Sequence, residues 1–591
     1  MKRVLGAARV FALALAATLP LAALPVLAQA QAQGQPPAAA IASAHPEATA
    51  AGERILRQGG NAFDAAVAVA AALAVVEPSG SGLGGGGFFL LHQADNGRKT
   101  FVDARETAPG QIRSALYLDE QGEVVAERLR AGPLAAGIPG LPAGLVHLAQ
   151  TYGALPLARV LEPAIALAAQ GFVVDEPLAR RVAFRAGDLG QFASSRAIFL
   201  PKGEPLEAGA TLRQPDLART LRKLASFGRE GFYGGPVADE LLRSVRAAGG
   251  VWTAADLRDY EVVERRPVIL AHGDWQIVAA PPPSSGGLVI GEILHMLELG
   301  GYAELREPAA RHHLLIEAMR RAYHDRARYM GDPDFVPVPS RELLSRDHAE
   351  RWMADYDPDR ATPSSALSPE PIASVGFGTD TTHFSVLDAQ GNRVAATLSI
   401  NYGLGAAFVA GRTGVLLNNE MDDFVIVPGV PNAYGLTGGE ANLVEPGKRM
   451  LSSMSPTFLE GADRTAVLGT PGGSRIITMV LLGLLELMEG ASAEAVVAEP
   501  RFHHQYLPDV VQHEPEALAP ALARGLVDRG HTLRELSRQY GNMQAVVWDH
   551  AAQRVEAAAD PRGVGAAVVL PRARLQTDPK SPAPAPESPT R

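Results

Sequence analysis

Cysteine is absent from all 591 residues, which excludes disulfides, thiolate-ligated metals and a cysteine nucleophile together. Stability must then come from packing, and a chain this long needs two or more cores or one large layered domain. Basic charge is scarce too: 54 Lys and Arg face 64 Asp and Glu, a formal charge of −10. Removing residues 1–28 takes away three basic side chains and no acidic one, leaving −13, so no nucleic-acid partner is expected. There is no tandem period, no heptad run and no G-x-x-x-x-G-K-[ST] phosphate loop. Beyond the first thirty residues, no segment is long and apolar enough to span a bilayer.

What is present is the composition of a soluble globular protein: 47% hydrophobic, 20% charged and a mean hydropathy near zero. The start, "MKRVLGAARVFALALAATLPLAALPVLAQAQAQ", reads as a secretory signal. Lys2, Arg3 and Arg9 precede an Ala/Leu/Val run, and small residues offer cleavage after Ala28 or Ala30. Pro20 and Pro25 inside the run favour cleavage over an uncleaved anchor. Export to the periplasm or the medium, with no stable membrane insertion after cleavage, is the expectation.

"QAQAQGQPPAAA" (29–40) reads as a flexible lead-in and the Pro-rich residues 576–591 as a disordered tail. Residues 50–78 read as two helices separated by Gly59-Gly60-Asn61, a C-cap followed by a restart. Residues 312–330 have amphipathic helical periodicity, and 267–283 read as a hairpin around His272-Gly273-Asp274. Residues 364–380 are rich in Ser, Pro and Gly and read as an exposed loop suited to a chain break. Hairpins outnumber βαβ patterns, so a mixed α+β chain is expected.

Several tempting motifs carry little. "GSGLGG" (80–85) matches G-x-G-x-x-G, but a helix precedes it and a strand follows, the reverse of a dinucleotide site; a tight turn fits better. His312, His313 and Glu317, and the pair His503-His504, lack metal-ligand spacing and read as ordinary hydrogen-bonded residues. Ser284 and Ser285 in "PPPSSGG" lack a nucleophile elbow and read as a turn entering a helix.

The segment "GTDTTHFSVLDAQGNRVAATLSIN" (378–401) rewards closer reading. Gly391 is the residue best able to take a positive φ, so Ala389-Gln390-Gly391 forms a three-residue loop and Asp388 pairs with Asn392. Partner numbers then sum to 780. Thr382, Phe384 and Val386 face Leu398, Ala396 and Val394 on a mostly apolar side, whereas a two-residue loop would mix the faces. The other face pairs Thr381 with Ser399, His383 with Thr397 and Ser385 with Ala395, with Asn401 diagonal to Thr381. That face is either a solvated polar surface or a cluster around a nucleophile. If the chain is cut before Thr381, the freed α-amine, with a pKa near 8, becomes a general base for Oγ1.

"TTHFSVLDAQGN", "LLNNEMDDF" (416–424), "PGVPNAYGL" (428–436), "LSSMSPT" (451–457) and "GTPGGSR" (469–475) resemble the γ-glutamyltranspeptidases. So do "HPEATAAGERILRQGGNAFDAAVAVAAALAVVEP", "GLGGGGFFLL" and "VDARETAP" upstream, in collinear order from about His45 to Arg562. The resemblance implies a four-layer αββα sandwich of the N-terminal-nucleophile hydrolase type. It implies a precursor that cuts itself between Asp380 and Thr381 into a large subunit (29–380) and a small catalytic one (381–575), which remain a heterodimer. The activity implied is removal of the γ-glutamyl group from glutathione and related amides, and its transfer to water, amino acids or peptides. No cofactor and no metal are implied.

Residue by residue, the resemblance makes Thr381 the nucleophile, Ser399 the hydroxyl that orients it (often Thr in the family), and Gly472 and Gly473 the oxyanion hole. Arg105, Ser452 and Ser453 would bind the substrate α-carboxylate; Glu420 (Gln in some members), Asp423 and Asn401 would bind the α-amine. Tyr434 would tip a lid over the site, while Asp422 reads as structural. A cephalosporin or glutaryl acylase of the same superfamily is the nearest alternative, and Asp423 argues against it because a glutaryl group has no amine to bind. A non-catalytic exported binding protein that never matures is another.

Overall fold

The computed structural model describes residues 34–367 and 381–575; residues 1–33, 368–380 and 576–591 lie outside them. Two antiparallel sheets form the middle of the molecule. The first has seven strands in the spatial order Ala566–Pro571, Ala38–Ser43, Thr382–Leu387, Arg393–Ser399, Gly86–His92, Lys99–Ala104, Val263–Arg265. The second has six: Arg554–Ala559, Gln544–Asp549, Arg464–Gly469, Thr457–Glu460, Trp275–Ala279, Val268–His272.

Alternation along each strand sends its side chains into two different cores. Phe384, Val386, Val394 and Leu398 face the helices Pro46–Arg57 and Ala62–Val76. Ala395 and Leu387 face the other way, joining Phe458, Leu468 and Val546 of the second sheet and the helices Gly286–Leu299 and Ile476–Met488. The result is helix, sheet, sheet, helix, the four layers that the resemblance implies.

The two expected helices break where Gly59 takes φ +88° and Asn61 opens a capping box with Asp64. Every residue of Ala62–Val76 is buried, so the cap, worth about 1 kcal/mol, serves mainly to set where burial begins. The hairpin 268–279 turns at Gly273, as the sequence suggests. The central hairpin has the derived register, with Val394 opposite Val386 and Arg393 opposite Leu387. Gly391 takes φ +99°, and the Asp388 N–H donates to the Asn392 carbonyl at 3.0 Å.

Two readings need correction. Residues 38–40 are not a flexible lead-in but the start of a fully buried strand paired on both edges. Alanine has weak strand preference, so tertiary pairing, invisible locally, decides this segment. The periodic segment 312–330 is helical as expected, within Pro308–Tyr329, but lacks the solvent-facing side that amphipathic periodicity implies: His313 to Arg326 are all buried. Its charged side is covered by the chain between 340 and 367, where the Arg321 guanidinium donates to the Trp352 carbonyl and Thr362, and Arg320 donates to Ser364.

Candidate active site

Thr381 immediately precedes the strand Thr382–Leu387 and is 6% exposed. Its Oγ1 lies 3.4 Å from the Ser399 Oγ, the pairing derived from the hairpin loop. Ser399 Oγ also accepts the Asn401 N–H at 2.7 Å, which steadies Asn401 in a left-handed conformation at φ +70°. Glycines make room here: a Cβ on Gly84 or Gly85 would collide with the carbonyls of Leu416 and Ser399.

The polar face of the hairpin is not solvated. His383 bonds Thr397 at 2.9 Å, Ser385 donates to the Gln544 carbonyl at 3.1 Å, and all of them are buried against the second sheet. Burial pushes the His383 imidazole down to about 3, so it is neutral at working pH and packed under Gly469. It has no proton capacity to offer Thr381.

Ten of the eleven expected site residues line one cavity of about 20 Å³: Arg105, Thr381, Ser399, Asn401, Glu420, Asp423, Tyr434, Ser452, Ser453 and Gly473. Gly472 adjoins it through Gly473 rather than lining it. At one end Arg105 is fully enclosed, donating to Glu420 Oε2 at 2.6 Å and to Asp423 Oδ2 at 2.5 Å. Burial works against the Arg105 charge, but Glu420, Asp423 and Glu106 outweigh it and hold its pKa above the ordinary value. Burial raises the Glu420 carboxyl, with Arg105 opposing. Glu106, 3.6 Å from Arg105, is raised further, by burial and then by Glu420.

Tyr434 and Leu436, of the segment expected to form a lid, line this cavity. Asn432 Oδ1 knits the tip of that segment by accepting the N–H groups of Tyr434 and Leu436. The Tyr434 hydroxyl donates to the Asn401 carbonyl at 3.0 Å, and its ring lies where a side chain on Gly473 would be. Asp422 accepts the Ala433 N–H at 3.0 Å; burial, then the charge of Asp423, pushes its carboxyl up to about 7. Asp422 therefore touches that segment, a role its sequence context does not show. Gln505 was missed as well: its amide donates to the carbonyls of Tyr434 and Gly435, while its oxygen accepts from Ser474, next to Gly472 and Gly473.

Arg326 is the other missed residue. It lines the cavity from the buried helix, donating to Ser285 Oγ at 2.9 Å and to Ser453 Oγ at 3.1 Å. Only a charged pattern in "HDRARYM" marks it in the sequence, and its partners lie 41 and 127 positions away. A second cavity, of about 230 Å³, also reaches Thr381 and is lined by Arg180, Arg181 and Arg538.

The histidines of both motifs make side-chain hydrogen bonds. His313 Nδ1 meets His531 Nε2 at 2.7 Å, and Glu317 beside them is held by Arg320 and Arg321. His503 bonds Thr478 and Gln505, and His504 bonds Asp509. Ser284 and Ser285 enter the helix Gly286–Leu299 as expected, donating to the Met454 and Ser452 carbonyls.

The family model for Gamma-glutamyltranspeptidase matches residues 48–570. A glutathione hydrolase proenzyme of Pseudomonas sp. (strain A14) is 45% identical over 484 residues, 81% of this chain and 84% of that one. The glutathione hydrolase proenzyme of Escherichia coli (strain K12) is 41% identical over 530 residues, 89% and 90% of the two chains. The crystal structure of cephalosporin acylase from Bacillus halodurans superposes with a TM-score of 0.79 at 27% identity, covering 90% of this chain and 96% of that one. With a family model that spans residues 48–570 and relatives 45% and 41% identical over most of both chains, the chain belongs to the γ-glutamyltranspeptidase family.

Proposed function

We propose that Thr381 is the nucleophile of this self-processing γ-glutamyltranspeptidase, freed by cleavage after Asp380. Thr381 Oγ1 attacks the Asp380 carbonyl carbon, the peptide nitrogen leaves as the Thr381 amine, and water hydrolyses the resulting ester. The products are residues 29–380, ending in a carboxylate, and a small subunit beginning at Thr381 and running through 575 to the tail. The donor is glutathione or another γ-glutamyl amide. Thr381 Oγ1 adds to the γ-carbonyl while its α-amine takes the proton, and the amine then protonates the leaving nitrogen. The N–H groups of Gly472 and Gly473 stabilise the oxyanion.

Arg105, Ser452 and Ser453 bind the α-carboxylate of the glutamyl group, and Glu420, Asp423 and Asn401 bind its ammonium. Water, an amino acid or a peptide then attacks the γ-glutamyl ester from the open cleft, where Arg180, Arg181 and Arg538 favour acceptors that carry a carboxylate. Residues 1–28 direct export to the periplasm or the medium. Among the described residues, no helix is long and apolar enough to cross a membrane.

The observation that carries this reading is one cavity lined by Thr381 together with two carboxylates and two serines. Those carboxylates also favour it over a cephalosporin acylase, the activity that names the Bacillus halodurans neighbour. N-terminal sequencing of the small fragment should give Thr-Thr-His-Phe, and γ-glutamyl anilide should be cleaved far faster than glutaryl anilide. A different N-terminus removes Thr381 as nucleophile, and preference for the glutaryl compound selects the acylase.

A further inference from the structure

Three helices, Gly286–Leu299, Pro308–Tyr329 and Arg346–Met353, each bring one side chain to a common point. Glu292, Asp325 and His348 offer one ligand atom apiece there, all within 4.8 Å of one another. None of the three lines the cavity that holds Thr381. Glu292 is 1% exposed, and neither of its carboxylate oxygens has a hydrogen-bond donor among the described residues. An enclosed carboxylate with no donor and no cation is costly. The neighbouring charge that acts on it, Asp325, is negative as well, so burial and that charge both push its carboxyl well above the ordinary value. The fold has thus placed a second acid beside Asp325 with nothing yet to hold it.

Asp325 is braced from outside as a metal-binding carboxylate is. Its Oδ1 lies 3.2 Å from His324 Nδ1, and its Oδ2 accepts the Trp352 indole N–H at 2.6 Å. His348 Nε2 sits 2.6 Å from that same Oδ2. Ligands 2.0–2.2 Å from a tetrahedral ion stand about 3.4 Å apart, so His348 and Asp325 need to part by about 0.8 Å. Binding at Nε2 moves the ring proton to Nδ1, which displaces the exposed Arg351 arm now 3.1 Å from that nitrogen. The His348 side chain is 12% exposed and gives the ion a way in. The cluster of His313, Glu317 and His531 fails by comparison: both Glu317 oxygens are taken by Arg320 and Arg321, and a cation there would meet two guanidinium groups.

We propose that Glu292, Asp325 and His348 form a structural site for one zinc-class divalent cation, which ties the three helices together. Two carboxylates balance the charge of the ion, and the imidazole selects zinc, cobalt or nickel over magnesium and calcium. The fourth position goes to water or to the second Glu292 oxygen. The site stands apart from the chemistry at Thr381 and does not depend on how that residue is assigned.

The test uses tag-free protein stripped with EDTA and dialysed against Zn²⁺, with bound metal measured by mass spectrometry and thermal unfolding followed with and without the ion. One equivalent of zinc should be retained, and at a hundredfold excess over Kd the Tm should rise by about 2 °C for a chain of this size. Co²⁺ in its place should give the visible absorption of a four-coordinate site of nitrogen and oxygen ligands. Glu292→Gln, nearly the same shape, should weaken zinc binding at least about 100-fold and abolish both the Tm shift and the cobalt band. His348→Ala, which alters a partly exposed side chain, should do the same, while His312→Ala should bind as the wild type does. Wild-type affinity in either Glu292→Gln or His348→Ala puts the zinc elsewhere and overturns the proposal, as does a comparable loss in His312→Ala. No uptake by the wild type overturns it too, and leaves a protonated Glu292 that donates to Asp325. If Glu292→Gln does not accumulate folded, His348→Ala decides alone.

Discussion

Replacing Ser399 by alanine removes one oxygen with two tasks. The first is structural: Ser399 Oγ accepts the Asn401 N–H at 2.7 Å, inside a region that water does not reach. Leaving that donor unpaired costs about 1–3 kcal/mol, and Asn401 at φ +70° has less to hold it in its left-handed turn. The second is chemical. The contact with Thr381 Oγ1 is long, 3.4 Å, so its ground-state worth sits at the low end of the roughly 0.5–1.5 kcal/mol of a neutral hydrogen bond. At 1.36 kcal/mol per factor of ten, maturation and kcat should each fall by about twofold to tenfold. Both should fall together, because one nucleophile performs both. Ser399→Thr keeps the oxygen and should restore both rates. The measurements are precursor disappearance on a denaturing gel, p-nitroaniline release by the matured enzyme, and thermal unfolding. Alanine at wild-type rates and Tm refutes the reasoning; so does a threonine variant as impaired as alanine, since shape rather than the hydroxyl would then matter.

Thr381→Ala should remain one uncut chain on a denaturing gel, and any cleavage before position 381 removes Thr381 from the processing step. Gly473 sits at φ +60° with the Tyr434 ring against it, so Gly473→Ala should displace the lid and lower kcat/KM at least about 100-fold; an active variant with a protected lid contradicts this. The Asp422 carboxyl is raised to about 7 by burial beside the expected lid, against about 3.9 in water. Closure is therefore favoured below about pH 4 and loses that advantage as pH rises through about 7. Limited proteolysis within 428–440 should quicken between pH 6 and pH 8, and Asp422→Asn should flatten the profile; a flat wild-type profile sinks the idea. Reversing Arg538 to Glu should raise KM for glutathione severalfold but leave γ-glutamyl-p-nitroanilide unaffected, since only the former has a carboxylate on its leaving group; parallel changes count against the acceptor cleft.

Local chemistry made the central hairpin legible. One glycine able to take a positive φ set the loop, the loop set the register, and the register put Thr381 beside Ser399. The breaks at Gly59 and Asn61 were readable for the same reason. Facts decided by distant neighbours were not. An alanine-rich strand was hidden because its reason to be a strand lies in residues more than three hundred positions away. The polar hairpin face was ambiguous because burial depends on a second sheet. Arg326 carries only the charged pattern of its helix as a local mark and Gln505 none; they matter for what other segments bring to them.

The order of strands in the first sheet has a consequence for the matured protein. With the cut before Thr381, strand Ala38–Ser43 of the large fragment lies between two strands of the small one, Ala566–Pro571 and Thr382–Leu387. Gly86–His92 of the large fragment likewise pairs along Arg393–Ser399, and Trp275–Ala279 along Thr457–Glu460. Cutting the chain edits its covalent connectivity and leaves its ladder of hydrogen bonds whole. The two subunits are laced together like interleaved fingers, so separating them means dismantling both sheets, and with them the very strand that carries the new N-terminus.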